Sequence, residues 1–159
     1  MRYKVAPPAR SLEFLGEARG AVPLVPDDEA DCCRAIQRAT DITDRERARE
    51  YLTFLRALGL VAESERGYYR TQDDFDPEAL ATACRERVFL VAELLETVDT
   101  SPRTVEEAFE GIREEVPRWE RERHADWEGV WQTRVGHLLS WAVLFGLCTV
   151  ENGRFERTQ

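Results

Sequence analysis

The chain has 159 residues and a formal net charge of −9, with 31 acidic side chains against 22 basic ones. That length suits one ordinary domain or two small ones, and the charges are dispersed as on a solvated surface. A bilayer span needs about 20 apolar residues, whereas the longest apolar run, Leu138–Val150, is shorter and interrupted by Ser140, so no membrane segment is expected.

Met1–Arg10 carries Pro7 and Pro8 and reads as an extended arm. It leads into charged amphipathic sequence and not into the apolar core of a secretory leader, which points to a cytoplasmic protein. Ser11 is a good N-cap for a helix with Leu12, Leu15 and Ala18 on one face and Gly20 as its stop. After a proline-containing linker, Ala21–Pro26, the carboxylates Asp27 and Asp28 precede a helix over Glu29–Ala39, with a narrow stripe of Ala30, Cys33, Ile36 and Gln37. Thr43 or Asp44 caps a third helix reaching Leu58, with Ala48, Tyr51, Leu52, Leu55 and Leu58 inward and Gly59 ending it. Two strands follow, Leu60–Ser64 and Tyr68–Thr71, around the tip Glu65-Arg66-Gly67.

Gln72–Pro77 is polar and acidic and marks a boundary, giving domains 1–75 and 76–159. One long connector helix is expected from Pro77 to about Val98. Ser101-Pro102 opens the next, with proline in its first turn and Val105, Phe109, Ile112 and Val116 at helical spacing. Pro117 ends it, and the charged stretch Arg118–Asp126 reads as a solvated insertion. The last helix covers roughly Trp127–Phe145. Strands at Leu147–Val150 and Phe155–Arg157 flank Asn152-Gly153, a strong hairpin signal.

The two helix-plus-ribbon segments are copies of one another. Leu52–Thr71 and Leu139–Thr158 align without a gap, with Leu52/Leu139, Gly59/Gly146, Leu60/Leu147, Arg70/Arg157 and Thr71/Thr158 identical. The fold class that follows is mainly α with small β-hairpin wings, in two tandem copies. In the first copy, Thr43–Val61 (TDRERAREYLTFLRALGLV) and the hairpin AESERGYYRT resemble the third helix and wing of winged helix-turn-helix transcriptional regulators. The likeness covers most of residues 11–71 and, more weakly, 86–158. It implies a DNA-binding regulator, although the same scaffold also serves as a protein-interaction module. The segment WERERHADWEGVW and the composition, with Lys4 the only lysine, resemble uncharacterised proteins of haloarchaea, where high net charge keeps proteins soluble. A GC-rich genome favouring arginine codons would produce the same bias.

The resemblance implies a double-stranded DNA contact at Arg45, Arg47 and Arg49 of the third helix, with Arg66 and Arg70 on the wing. A helical projection places Glu46, Glu50, Thr53 and Ala57 at the centre of the outward face and Arg47 and Arg49 on its flanks, with Arg45 nearer the buried side. Carboxylates there oppose phosphate binding. They can instead pair with the arginines at (i, i+3) and (i, i+4) spacing, which leaves a protein-docking role open beside the DNA role. In the second copy Trp141, Val143 and Leu144 stand where the first has Phe54, Arg56 and Ala57. A helix apolar on nearly every side is covered on more than one side, so these three residues are expected at a homodimer or partner interface.

Cys32, Cys33, Cys84 and Cys148 form no C-x-x-C pair, and only His124 and His137 accompany them. No metal site or cofactor is expected. No glycine-rich phosphate loop, G-x-S-x-G or other catalytic spacing occurs, so the reading is non-enzymatic.

Overall fold

The computed structural model describes residues 6–71, 75–99 and 101–158. The chain divides into two compact units, the first ending at Val88 and the second beginning at Phe89. Both bring helices together under an antiparallel hairpin.

In the first unit the Ser11 hydroxyl caps α1 (Leu12–Ala21), Asp28 caps α2 (Glu29–Ala39) and Asp44 caps α3 (Arg45–Ala57). Each cap satisfies an N–H that has no partner inside its helix, and the two carboxylates also face the positive end of the helix dipole. α2 packs on α1 and α3. Leu15, Ala18, Cys32, Ile36, Ala48, Leu52 and Leu55 of these helices are at most 1% exposed. Burial of one Leu or Ile contributes about 1.5–3 kcal/mol, so this core supplies most of the cohesion.

Just past the end of α3 the chain turns at Gly59, where φ is +81°, a left-handed backbone that costs little only without a Cβ. β1 (Val61–Ser64) and β2 (Gly67–Arg70) then pair antiparallel, Val61 opposite Arg70. Thr71 ties the ribbon back, its N–H donating to the Leu60 carbonyl at 3.1 Å and its hydroxyl to the Gly59 carbonyl at 2.8 Å. The free edge of β2 is also used, since Asp27 pairs with Tyr68. α4 (Pro77–Arg87), capped by Asp76, packs on α3.

The second unit contains α5 (Val91–Thr97), α6 (Val105–Ile112), α7 (Arg118–Arg123), α8 (Trp127–Leu144), β3 (Cys148–Glu151) and β4 (Arg154–Arg157). Its plan repeats the first. Gly146 has φ +76° after α8, and Arg103 pairs with Phe155 as Asp27 does with Tyr68. The Thr158 N–H returns to the Leu147 carbonyl at 3.1 Å. Asn152 and Gly153 both take positive φ, the turn that matches the twist of a two-residue hairpin.

Several expectations are corrected. The Pro77–Val98 helix is two helices, broken between Val88 and Leu90, where Leu90 has φ +74°. Val88, Leu90 and Val91 are all at most 2% exposed, and a straight helix would point three such neighbours in different directions. α4 accordingly groups with the first unit, whereas the sequence division after residue 75 assigns it to the second. α6 starts at Val105, not Pro102, because Thr104 and Glu107 form a capping box, and Val116 lies beyond a 3-10 turn, Arg113–Glu115.

Arg118–Arg123 is no solvated loop. As α7 it packs on α8, and Glu120 is 4% exposed, held by Arg134 at 3.2 Å. Arg121 donates to the carbonyls of Arg113 and Val116 and stacks over Trp127, fastening the end of α6. The N-terminal arm, in its described part, is not free: Ala6 and Pro7 are buried and the Tyr51 hydroxyl donates to the Pro8 carbonyl at 2.6 Å. Met1–Val5 and Gln72–Asp74, parts of the expected arm and linker, lie outside the described residues.

Candidate nucleic-acid interface

The start of α3 is set by the turn before it. The Gln37 amide donates to the Thr43 carbonyl at 2.8 Å, the Thr40 hydroxyl donates to the Ile36 carbonyl at 2.6 Å, and Ile42 is buried beneath. Asp44 then accepts the Glu46 N–H. With Tyr51, Leu52 and Leu55 inward, the first turns of α3 face solvent through Arg45, Glu46 and Arg49, with Arg47 and Glu50 half-buried at the side.

The flanking arginines are paired within the helix. Arg47 reaches Glu50 at 2.9 Å and Arg49 reaches Glu46 at 3.1 Å. Exposed pairs of this kind hold by at most about 1 kcal/mol, so a competing phosphate can displace the carboxylate. Arg45 and Arg66 are exposed and form no ion pair among the described residues. Arg45 is thus more outward than its helical angle suggests, because it occupies the first turn, past the edge of the packed seam. Arg70 is half-buried, its N–H bonded to the Pro23 carbonyl at 2.7 Å and its guanidinium beside Gly20 of α1. It braces the wing from behind. Ala57, expected to face outward, is fully buried, consistent with α4 packing on α3.

One basic residue has no local sequence signal. Arg10 forms a two-pronged contact with Asp41, at 3.1 and 3.3 Å, and lies 4.1 Å above the Phe14 ring. The bond to Asp41 raises the Arg10 pKa and lowers that of Asp41 below its ordinary 3.8. Burial raises the Tyr51 pKa, and the groups acting on its hydroxyl are Arg10, Arg47, Glu50 and Asp41. Arg10 therefore belongs to the same edge of α3 as Arg47. Its partner Asp41 is 31 positions away in sequence, which is why periodicity does not reveal it.

Acidic groups border this face. Arg56 pairs with Glu63 of β1 at 2.7 Å. Asp27, Asp28 and Asp31 bring carboxylate oxygens within 4.8 Å of one another, but Asp27 accepts the Asp28 N–H, Asp28 the Asp31 N–H, and Asp31 pairs with Arg34. These contacts belong to the start of α2 and assign no metal.

The second unit presents a different chemistry at the equivalent place. His137, Ser140 and Val143 of α8 correspond to Glu50, Thr53 and Arg56, and Val150, 47% exposed, corresponds to Glu63. The ion pair at the foot of the first wing is thus replaced by two valines. Val143 and Leu144 are half-buried, but Trp141 is fully buried, stacked on Phe145 at 5.7 Å. Trp141 is a core residue, and the expectation of it at an interface is corrected. Much of the apolar character of α8 is used inside its own unit, where α5, α6 and α7 pack on it.

None of the helices in the described residues is long and apolar enough to cross a membrane. The chain matches no curated protein and no solved structure. The profile of a family described as the halobacterial double winged helix domain matches residues 1–159, and the two hairpins that follow Gly59 and Gly146 account for the doubling. The chain belongs to the halobacterial double winged helix domain family.

Proposed function

We propose that the protein is a non-enzymatic regulator that binds double-stranded DNA through its first unit. The start of α3 enters the major groove and the Glu65–Gly67 wing tip follows the adjacent backbone. The observation that carries this reading is the arginine set at one end of α3, exposed Arg45 and Arg49 with half-buried Arg47 beside them, together with exposed Arg66 on the wing. The net charge of −9 weighs little against it in molar salt, where the Debye length is about 3 Å and only local contacts matter. A DNA-binding role also places the protein in the cytoplasm. Gel shifts on genomic fragments in molar KCl test the reading. The Arg45→Ala/Arg47→Ala/Arg49→Ala protein is expected to lose at least about tenfold in affinity, one good base contact alone being worth that much. Equal binding by the two proteins overturns it.

The second unit supplies self-association in this proposal, through Val143, Leu144 and Val150. Light scattering reads it: a dimer that Val143→Glu with Val150→Glu converts to monomer supports it, and an unchanged oligomer overturns it. A second reading, docking to a protein without DNA, is favoured by Glu46 and Glu50, which neutralise two of the three arginines at the start of α3. Purification from the native host distinguishes the two by recovering either a stoichiometric protein partner or DNA.

A further inference from the structure

Each arginine on the edge of α3 that has a partner has the same kind of partner. Arg10 is held by Asp41, Arg47 by Glu50 and Arg49 by Glu46, at 2.9–3.1 Å at closest approach. All six side chains retain solvent exposure, from 28% for Glu50 to 73% for Asp41. None is locked in the interior, so each arginine can change its partner without disturbing the core. Arg10 joins the set because the Tyr51–Pro8 hydrogen bond anchors its segment against α3.

Resting on the DNA-binding reading above, we propose that the first unit binds nucleic acid by exchanging internal carboxylates for phosphates at Arg10, Arg47 and Arg49, and that binding is consequently far less salt-dependent than the arginine count implies. An arginine surrounded by water meets a phosphate and releases a condensed cation into solution, which makes log K fall with log salt by about 0.9 per contact. An arginine already held by a carboxylate releases the same cation but also frees an anion beside the duplex. That anion gathers a cation back, and the two effects offset. Only Arg45 and Arg66, which have no internal acid partner among the described residues, contribute the full dependence. The arrangement suits a solution in which cations are abundant and counterion release drives little.

The test measures the affinity of the full-length protein for a short random-sequence DNA duplex from low to molar KCl, with circular dichroism confirming that each variant is folded. The expected slope is about −2 for the wild type and about −4 to −5 for Asp41→Asn/Glu46→Gln/Glu50→Gln, in which three more arginines behave as free cations. Adding Arg10→Gln to Asp41→Asn is expected to make the slope shallower by about 1 relative to Asp41→Asn alone. A wild-type slope as steep as that of the triple variant overturns the exchange. No change on adding Arg10→Gln removes Arg10 from the interface. Absence of binding by every protein at every salt concentration overturns the DNA reading itself, and is recognisable as such because no slope exists to compare.

Discussion

Asp27 and Tyr68 exchange both of their backbone hydrogen bonds, at 3.0 and 2.7 Å, and so join the start of α2 to the first wing. Gly67 sits at this junction with φ +126°, its backbone so close to the Asp27 carbonyl that an added Cβ would overlap it. The contact is to main chain, which cannot rotate away. Gly67→Ala should cost at least about 2 kcal/mol through strain and clash together, against about 1 kcal/mol for Gly153→Ala, which has φ +74° and open space around it. Urea unfolding of the two variants checks the ranking; equal costs would mean that the Asp27–Tyr68 junction opens readily.

Glu120 is the one buried charged residue among those described, and its partners are Arg134 at 3.2 Å and His124 at 3.5 Å. Removing the acid leaves Arg134, with only 20% of its side chain exposed, short of its counter-charge. Glu120→Ala should destabilise the second unit by about 2–3 kcal/mol, and Glu120→Gln by less, since an amide oxygen still accepts. Chemical denaturation followed by tryptophan fluorescence measures this, as all four tryptophans lie in that unit.

Trp141 and Val143 separate core from surface on α8. Trp141→Ala opens a cavity in a fully buried site and should cost about 3–5 kcal/mol. Val143→Ala, at a half-buried position, should stay within about 1 kcal/mol. Thermal unfolding of both variants is the check, and a mild effect at Trp141 would return that residue to the surface.

Acid should loosen the second unit through two carboxylates. The Thr104 N–H, assisted by Arg154, holds Glu107 below its ordinary 4.5, and Arg113 does the same for Glu128. A depressed folded value means that the unfolded chain binds protons first. The stabilisation is complete above about pH 4.5 and is lost as pH falls through the lower folded values. Glu107→Gln should therefore lose less stability than the wild type between about pH 5 and pH 3 in parallel denaturation series.

What the chain reveals locally, it reveals well. The leucine spacing of α3, the glycines at 59 and 146 and the Asn152-Gly153 turn are short-range signals, and both hairpins form where those signals put them. Information carried between distant positions is hidden. Leu90 takes a positive φ inside a run of good helix formers because burial on several sides outweighs propensity. The pairing of Arg103 with Phe155 matches that of Asp27 with Tyr68, yet α7 lengthens the second copy between those partners, so a gapless alignment misses it. At the candidate interface the arginines of α3 are legible from the helix pattern. The carboxylates that hold them are legible only as spacing, and Arg10 is not legible, because a tyrosine hydroxyl and a distant aspartate place it.

Four thiols are free and buried, three in the first unit and Cys148 in the second. Burial, aided at Cys32 by nearby carboxylates, pushes Cys32 and Cys148 up to about 11, so the reactive thiolate is scarce at neutral pH. An alkylating reagent added to the native protein must wait for each half to open before it can react. The two halves thus carry built-in clocks, and mass spectrometry of the modified peptides would time their opening independently.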